Sequence, residues 1–241
     1  MTCSGVSFSE LPDLFDDDVV VLSAPVDEGH IAELTTAERA AVARASIKRQ
    51  REFATARVLA RAGLARLGVE GFELLNREDR APIWPDGIAG SISHCDTRAF
   101  VAVADRAMVG TVGVDVEHRD ELARRLWRHT MLPEEIAWLD TRAEVERGRL
   151  ALALFSAKEA LYKAQYPWSE TFMGFHALRV SLHPEDRRID CIFQREVGPF
   201  PEGTVVHGRF TETATGELVA GVHIGSGVAR PDQLSARADD P

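Results

Sequence analysis

Hydrophobic and polar positions change period several times along this chain, and each change marks an element. Residues 19–23 form a short apolar run that reads as a strand. Thr35-Thr36-Ala37-Glu38 has the form of a capping box and opens a helix. Over residues 46–67 the apolar positions Phe53, Ala56, Ala60, Leu64 and Leu67 recur at helical spacing, which predicts a long amphipathic helix stopped by Gly68. Pro82, Pro85 and Gly87 mark a loop. Residues 88–94, 99–104 and 112–117 then read as three strands, expected as neighbours in one sheet. Pro133-Glu134-Glu135 starts a helix, with proline in the first turn and acids at the positive end of the dipole. That helix is expected to reach about Glu146. A second is expected over 149–166, stopping before Pro167. Residues 178–182, 189–194, 204–211 and 218–224 alternate as strands.

Helix then strands, followed by helices then strands, predicts an α+β chain of two halves, 1–112 and 113–225, joined near Gly113. The segment 226–241 is polar and is expected to lack order. With 241 residues the chain can bury a sizeable core, and 45% hydrophobic with 27% charged residues reads as soluble and globular. Cys3, Cys95 and Cys191 form no C-x-x-C pair, which argues against zinc and a disulfide framework and suits the reducing cytoplasm. No signal peptide and no run of membrane-spanning length is visible, so no membrane partner is expected.

A net charge of −10 disfavours nucleic acid as a partner. The charge is uneven. Residues 1–38 carry acids and no Lys or Arg, whereas 39–66 carry Arg39, Arg44, Lys48, Arg49, Arg51, Arg57, Arg61 and Arg66 against Glu52 alone. Such a face suits an anionic ligand, or is a solvated helix surface.

Two short acidic segments hold the candidate chemistry. In Gly113-Val114-Asp115-Val116-Glu117 the two acids share one face of a strand, and in Phe155-Ser156-Ala157-Lys158-Glu159-Ala160-Leu161-Tyr162-Lys163 the pair Glu159 and Lys163 shares one face of a helix. If strand and helix meet, three carboxylates converge beside two lysines, a setting for a hard divalent cation and a phosphate-rich ligand. Taken singly, the first segment also reads as a half-exposed strand and the second as a surface ion pair. Gly90-Ser91-Ile92-Ser93-His94 combines small residues with groups that can donate to phosphate. No G-x-S-x-G elbow, P-loop or G-x-G-x-x-G is present.

These segments, in this order, resemble the 4'-phosphopantetheinyl transferases of the Sfp type, most closely the enterobactin-synthase (EntD-like) subgroup. The resemblance rests on Arg49-Gln50-Arg51-Glu52-Phe53-Ala54-Thr55-Ala56-Arg57, on Pro82-Ile83-Trp84-Pro85 with Gly90 to Cys95, and on the two acidic segments, which match G-[VI]-D-[VI]-E and [WF]-[ST]-x-K-E-[AS]-x-x-K. It implies an α+β pseudodimer of two similar halves with the active site between them. It implies transfer of the phosphopantetheine arm of coenzyme A to a serine of an apo acyl or peptidyl carrier protein, with Mg²⁺ or Mn²⁺, by a cytoplasmic enzyme expected to be a monomer. By resemblance Asp115, Glu117 and Glu159 hold the metal. Arg49, Arg57, Arg77 or Arg80, Ser93, His94, Lys158 and Lys163 contact coenzyme A, and Glu159 or Glu117 is the base. The acidic N-terminal stretch is not explained by it. Arg124, Arg125, Trp127, Arg128, Met131 and Leu132 are expected to dock the carrier, which is itself acidic. A metal-dependent phosphodiesterase would not need both lysines, Ser93 and His94. A non-catalytic coenzyme A scaffold would not need all three acids.

Overall fold

The computed structural model describes residues 8–225 except 12, 16, 17, 119 and 120, so the 226–241 segment expected to lack order lies outside the described residues. The chain runs β1 (Ser9–Glu10), β2 (Val19–Pro25), α1 (Thr36–Val42), α2 (Ile47–Arg66), β3 (Ile88–His94), β4 (Arg98–Asp105), α3 (Arg106–Val109) and β5 (Thr111–Glu117). It continues with α4 (Arg124–Thr130), α5 (Pro133–Asp140), α6 (Glu144–Ser169), β6 (Leu178–His183), β7 (Arg188–Phe193), β8 (Val205–Glu212) and β9 (Leu218–Ile224).

Two antiparallel sheets result, ordered β1-β2-β4-β3 and β5-β9-β8-β7-β6. The side chains set four layers. In β4, Val101 and Val103 pack toward Leu59, Ala60 and Leu64 of α2, while Phe100, Ala102 and Ala104 face the second sheet. There they meet Val112, Val114 and Val116 of β5 and Val219 of β9. Beyond the second sheet lies α6, whose Leu152, Ala157, Ala160 and Leu161 share a core with Leu178, Ile189 and Ala220. A strand covered on both faces is apolar at consecutive positions, as β4 is.

The expectation that β5 lies in one sheet with β3 and β4 is corrected: β5 pairs with β9. It meets β3 as one sheet edge against another. The Val114 N–H donates to Ser91 Oγ at 3.0 Å and the Val116 N–H to Ser93 Oγ at 3.2 Å. Two serine hydroxyls therefore satisfy amides that a ladder carbonyl would otherwise take.

Two helix boundaries also differ. Helix α5 ends at Asp140, where Thr141 Oγ1 turns back to the Trp138 carbonyl, a competing local hydrogen bond. Helix α6 runs through Pro167 to Ser169, and Glu170 caps it at φ 45°. Proline lies within the last turn, and the Trp168 ring stacks on Phe200 at 5.9 Å, which holds the chain helical past it.

The capping box forms as read: Glu38 N donates to Thr35 Oγ1 and Thr35 N to Glu38 Oε2. Glu38 is fully buried and accepts from Arg61 at 2.8 Å and from the Leu74 amide at 3.2 Å. Glu10 pairs with Arg66 at 2.6 Å, and Glu28 pairs with Arg51. The acidic N-terminal stretch thus folds back on the basic helix that follows it. The proposed docking cluster is corrected in its apolar part: Trp127 on α4 and Met131 at its C-terminal cap are core residues. Arg124, Arg125 and Arg128 stay exposed, and Arg124 pairs with Asp140 at 3.0 Å.

Candidate active site

Asp115 is the centre of the seam between β3, β5 and α6. It points toward α6, on the face of β5 opposite Val114 and Val116, and is buried. Its Oδ1 accepts from Ser93 Oγ at 3.0 Å and from Lys163 Nζ at 2.8 Å, and its Oδ2 from Ser156 Oγ at 2.9 Å. Lys163 gives its other two hydrogens to Ser93 Oγ at 2.9 Å and the Val114 carbonyl at 3.1 Å. So Lys163 reaches across to the strand rather than back to Glu159, one turn earlier.

Glu159 lies beside this cluster, half-buried, and has no hydrogen-bond or ion-pair partner among the described residues. Burial pushes its carboxyl above the usual range, the charge of Asp115 pushes further, and Lys163 offsets part of this. Beside Glu159 opens an apolar cavity of about 330 Å³ lined by Tyr162, Phe172, Met173 and Phe175.

Glu117 does not line the cavity beside Glu159. Among the described residues no group of three or more His, Cys, Asp or Glu converges tightly enough to hold a metal ion. Two steps along a strand separate Cα atoms by roughly 6.6 Å, so a shared face does not bring carboxylates into contact. Glu117 lines a separate polar cavity of about 330 Å³ with Glu52, His94, Asp96 and His118.

At that cavity Arg49 Nη1 donates both to Glu52 Oε2 at 3.3 Å and to His94 Nε2. A guanidinium can only donate, so His94 accepts at Nε2 and carries its proton on Nδ1, which faces Glu52 at 3.5 Å. Burial lowers the His94 pKa, Arg49, Lys163 and Lys48 lower it further, and Glu52 opposes them. The neutral form of His94 is therefore favoured.

Three residues assigned to coenzyme A by resemblance are placed differently. Lys158 is correctly on α6 but faces away from Asp115. It is fully buried, donating to Glu135 Oε2 at 2.6 Å, the Thr130 carbonyl at 2.9 Å and the Phe175 carbonyl at 3.3 Å, so no hydrogen remains for phosphate. Burial drives its pKa down, and Glu135 restores part of the loss. Arg57 is buried, donating from Nε to the Leu74 carbonyl at 2.8 Å and from Nη2 to Asn76, so it anchors the loop before Arg77. The Ser93 hydroxyl gives its one hydrogen to Asp115.

Arg77 bridges the two halves, pairing with Glu170 at 2.6 Å just beyond α6, while neighbouring Asp79 accepts from Tyr166 at 2.9 Å. Arg80 sits exposed at the turn tip with φ 74°. Sequence reasoning gave no role to Ser156 or Glu52, and read Ser91 only within a segment able to donate to phosphate. Ser156 had a signal, a hydroxyl inside an apolar stretch of helix.

An acid-and-lysine seam thus lies between the two sheets and α6, with an arginine–histidine pair at its edge. The chain belongs to the 4'-phosphopantetheinyl transferase superfamily. Residues 37–104 match the family model of the 4'-phosphopantetheinyl transferase N-terminal domain, and residues 111–210 that of the 4'-phosphopantetheinyl transferase superfamily. It is 37% identical to the 4'-phosphopantetheinyl transferase Svp of Streptomyces mobaraensis, over 89% of this chain and 79% of that protein. It is 32% identical to the 4'-phosphopantetheinyl transferase PptT of Mycobacterium tuberculosis, over 77% and 81%. It is also 32% identical to enterobactin synthase component D of Salmonella typhimurium, over 56% and 55%. The enzyme class is thus a transferase that moves phosphopantetheine from coenzyme A to carrier proteins. No helix among the described residues is long and apolar enough to cross a membrane.

Proposed function

We propose that the seam between residues 1–112 and 113–225 binds coenzyme A with a divalent cation and passes the phosphopantetheine arm to a serine of an apo acyl or peptidyl carrier protein. The observation that supports this reading is Glu159, a half-buried carboxylate beside Asp115 with no partner among the described residues. Two adjacent carboxylates, one uncompensated, form a donor set suited to Mg²⁺ or Mn²⁺, which take few carboxylates and complete their shell with phosphate and water. Asp115 and Glu159 would hold the ion, and Glu117 would reach it through water. When bound, the cation supplies Lewis-acid stabilisation of phosphoryl charge.

The chain's own residues supply the rest. The carrier serine oxygen bonds to the β-phosphorus, the bond from that phosphorus to the bridging oxygen breaks, and adenosine 3',5'-bisphosphate leaves. Glu159 is the first candidate to take the serine proton, directly or through a water, and Glu117 is the second. Lys163 keeps Asp115 in place and adds positive charge where pyrophosphate lies. Arg49 presents a half-exposed guanidinium to the 3'-phosphate, with His94 beside it. Arg77 reaches the same ligand once released from Glu170, and Arg80 flanks it. Arg125 and Arg128 form the basic side that meets the acidic carrier. The enzyme works in the cytoplasm as a monomer, with no nucleic acid or membrane partner.

The test is direct. Incubate the chain with coenzyme A, MgCl₂ and apo carriers of the acyl and peptidyl classes, then weigh the carriers by mass spectrometry. One phosphopantetheine added per carrier, lost on adding EDTA, is the expected result. Unchanged mass on every carrier overturns the reading.

A further inference from the structure

Ser156 lies in the middle of α6, fully buried, with Phe155 and Ala157 of the same core on either side of it in sequence. A serine in a helix interior usually turns its hydroxyl to the carbonyl one turn back or to water. This one instead donates to Asp115 Oδ2 at 2.9 Å, across the packed interface between α6 and β5. The opposite oxygen of the same carboxylate accepts from Ser93 Oγ at 3.0 Å, and Ser93 belongs to β3, in the other sheet. Ser93 is itself pinned, accepting from the Val116 amide at 3.2 Å and from Lys163 at 2.9 Å.

One carboxylate is thus held at both oxygens by hydroxyls from separate layers. Each donor fixes one oxygen, so together they fix the rotation of the carboxylate plane as well as its position. A single donor would leave that rotation free. Lys163 also holds Oδ1, but among the described residues Ser156 alone donates to Oδ2.

We propose that Ser156 is a positioning residue, which with Ser93 clamps the Asp115 carboxylate in the orientation that receives the divalent cation. The proposal rests on the functional reading above. Partners of this kind typically change metal affinity or activity by about 10- to 100-fold when removed.

The test uses the full chain and Mn²⁺ as the probe. Free Mn²⁺ is followed by electron paramagnetic resonance during titration of the wild type, Ser156→Ala, Ser156→Cys and Ser156→Thr. Cysteine keeps most of the volume with a poor donor, and threonine keeps the hydroxyl. Thermal melts of the metal-free proteins identify which variants are folded. The expected result is Mn²⁺ affinity weakened about tenfold in the Ala and Cys variants and restored in Thr. The KM for coenzyme A is expected to stay at the wild-type value while kcat falls. Wild-type Mn²⁺ affinity in a folded Ala or Cys variant overturns the clamp. A raised KM with unchanged kcat overturns it too, because it would make Ser156 a ligand contact. A wild type that binds no Mn²⁺ would instead undo the cation reading itself.

Discussion

Gly113 on β5 lies so close beneath α6 that a Cβ there would sit 1.9 Å from the Ala160 carbonyl oxygen and 2.8 Å from the Ala164 nitrogen. Both obstacles are backbone, so neither can turn aside. The helix carrying Glu159 and Lys163 is pressed onto the strand carrying Asp115 at this glycine. Gly113→Ala must therefore push α6 away from β5. The expected cost is about 3 kcal/mol, at the upper end for overpacking a core. Thermal unfolding should show a clear drop in Tm. Transfer should fall even at temperatures where the variant stays folded, because Asp115 and Glu159 separate. A Tm within a degree or so of wild type would show that the close approach is not obligatory.

Much of this arrangement is legible in the sequence, and its limits have physical causes. Periodicity located α2, β3, β4 and β6 to β9 because local burial follows local pattern. The sheet that β5 joins is set by residues roughly a hundred positions later, and no local signal records that choice. Asp115 and Glu159 were legible as neighbours because a strand and a helix each leave one face at regular spacing. The inward turn of Lys158 and Arg57 was not, since charged side chains are read as exposed by default. Only the partners reveal it: Glu135 for Lys158, and the Leu74 carbonyl with Asn76 for Arg57. The N-terminal acids looked unexplained because Glu10, Glu28 and Glu38 find Arg66, Arg51 and Arg61 only after the chain has folded back.

Lys158→Met separates a structural lysine from a ligand-binding one. The ammonium lies 2.6 Å from Glu135, and both side chains are essentially buried. Glu135 also accepts from the Leu132 and Val180 amides, so it must stay when the lysine goes. Removing one member of a buried pair costs about 3–5 kcal/mol. Urea unfolding should show that loss, while the folded fraction keeps its KM for coenzyme A. Near-normal stability with a raised KM would return Lys158 to the phosphates.

His94 gives a pH signature. Its folded pKa is lowered from 6.5, chiefly by burial, so the unfolded chain binds a proton more readily than the folded one. Stability rises with pH across the window from the lowered value up to the ordinary one, and is lost as pH falls through it. His94→Gln removes this contribution. Urea unfolding between about pH 5 and 7.5 should show the wild type losing more stability on acidification than the variant. Parallel pH profiles in the two proteins would mean that His94 protonates freely, and that its neutral pairing with Arg49 does not persist.

Glu159→Gln should separate stability from activity. The carboxyl has a pKa raised from 4.5, first by burial and then by Asp115, so the folded state binds its proton more tightly than the unfolded state. Here the sign is the reverse of a salt-bridged acid. Stability falls as pH rises from the ordinary value through the raised one, and the deficit persists above it. Glutamine carries no charge to bury, so the metal-free variant should be more stable than wild type near neutral pH. The gap should close toward about pH 4, where the glutamate is protonated in both states. Transfer should fall by about 10²-fold or more if Glu159 serves as the proposed cation ligand and base. That pairing of gain and loss is the expected mark of a residue kept for chemistry at the expense of the fold. If Glu159→Gln is less stable than wild type at neutral pH, the carboxylate has a partner that holds it charged. Its availability to a cation and to the serine proton would then have to be abandoned.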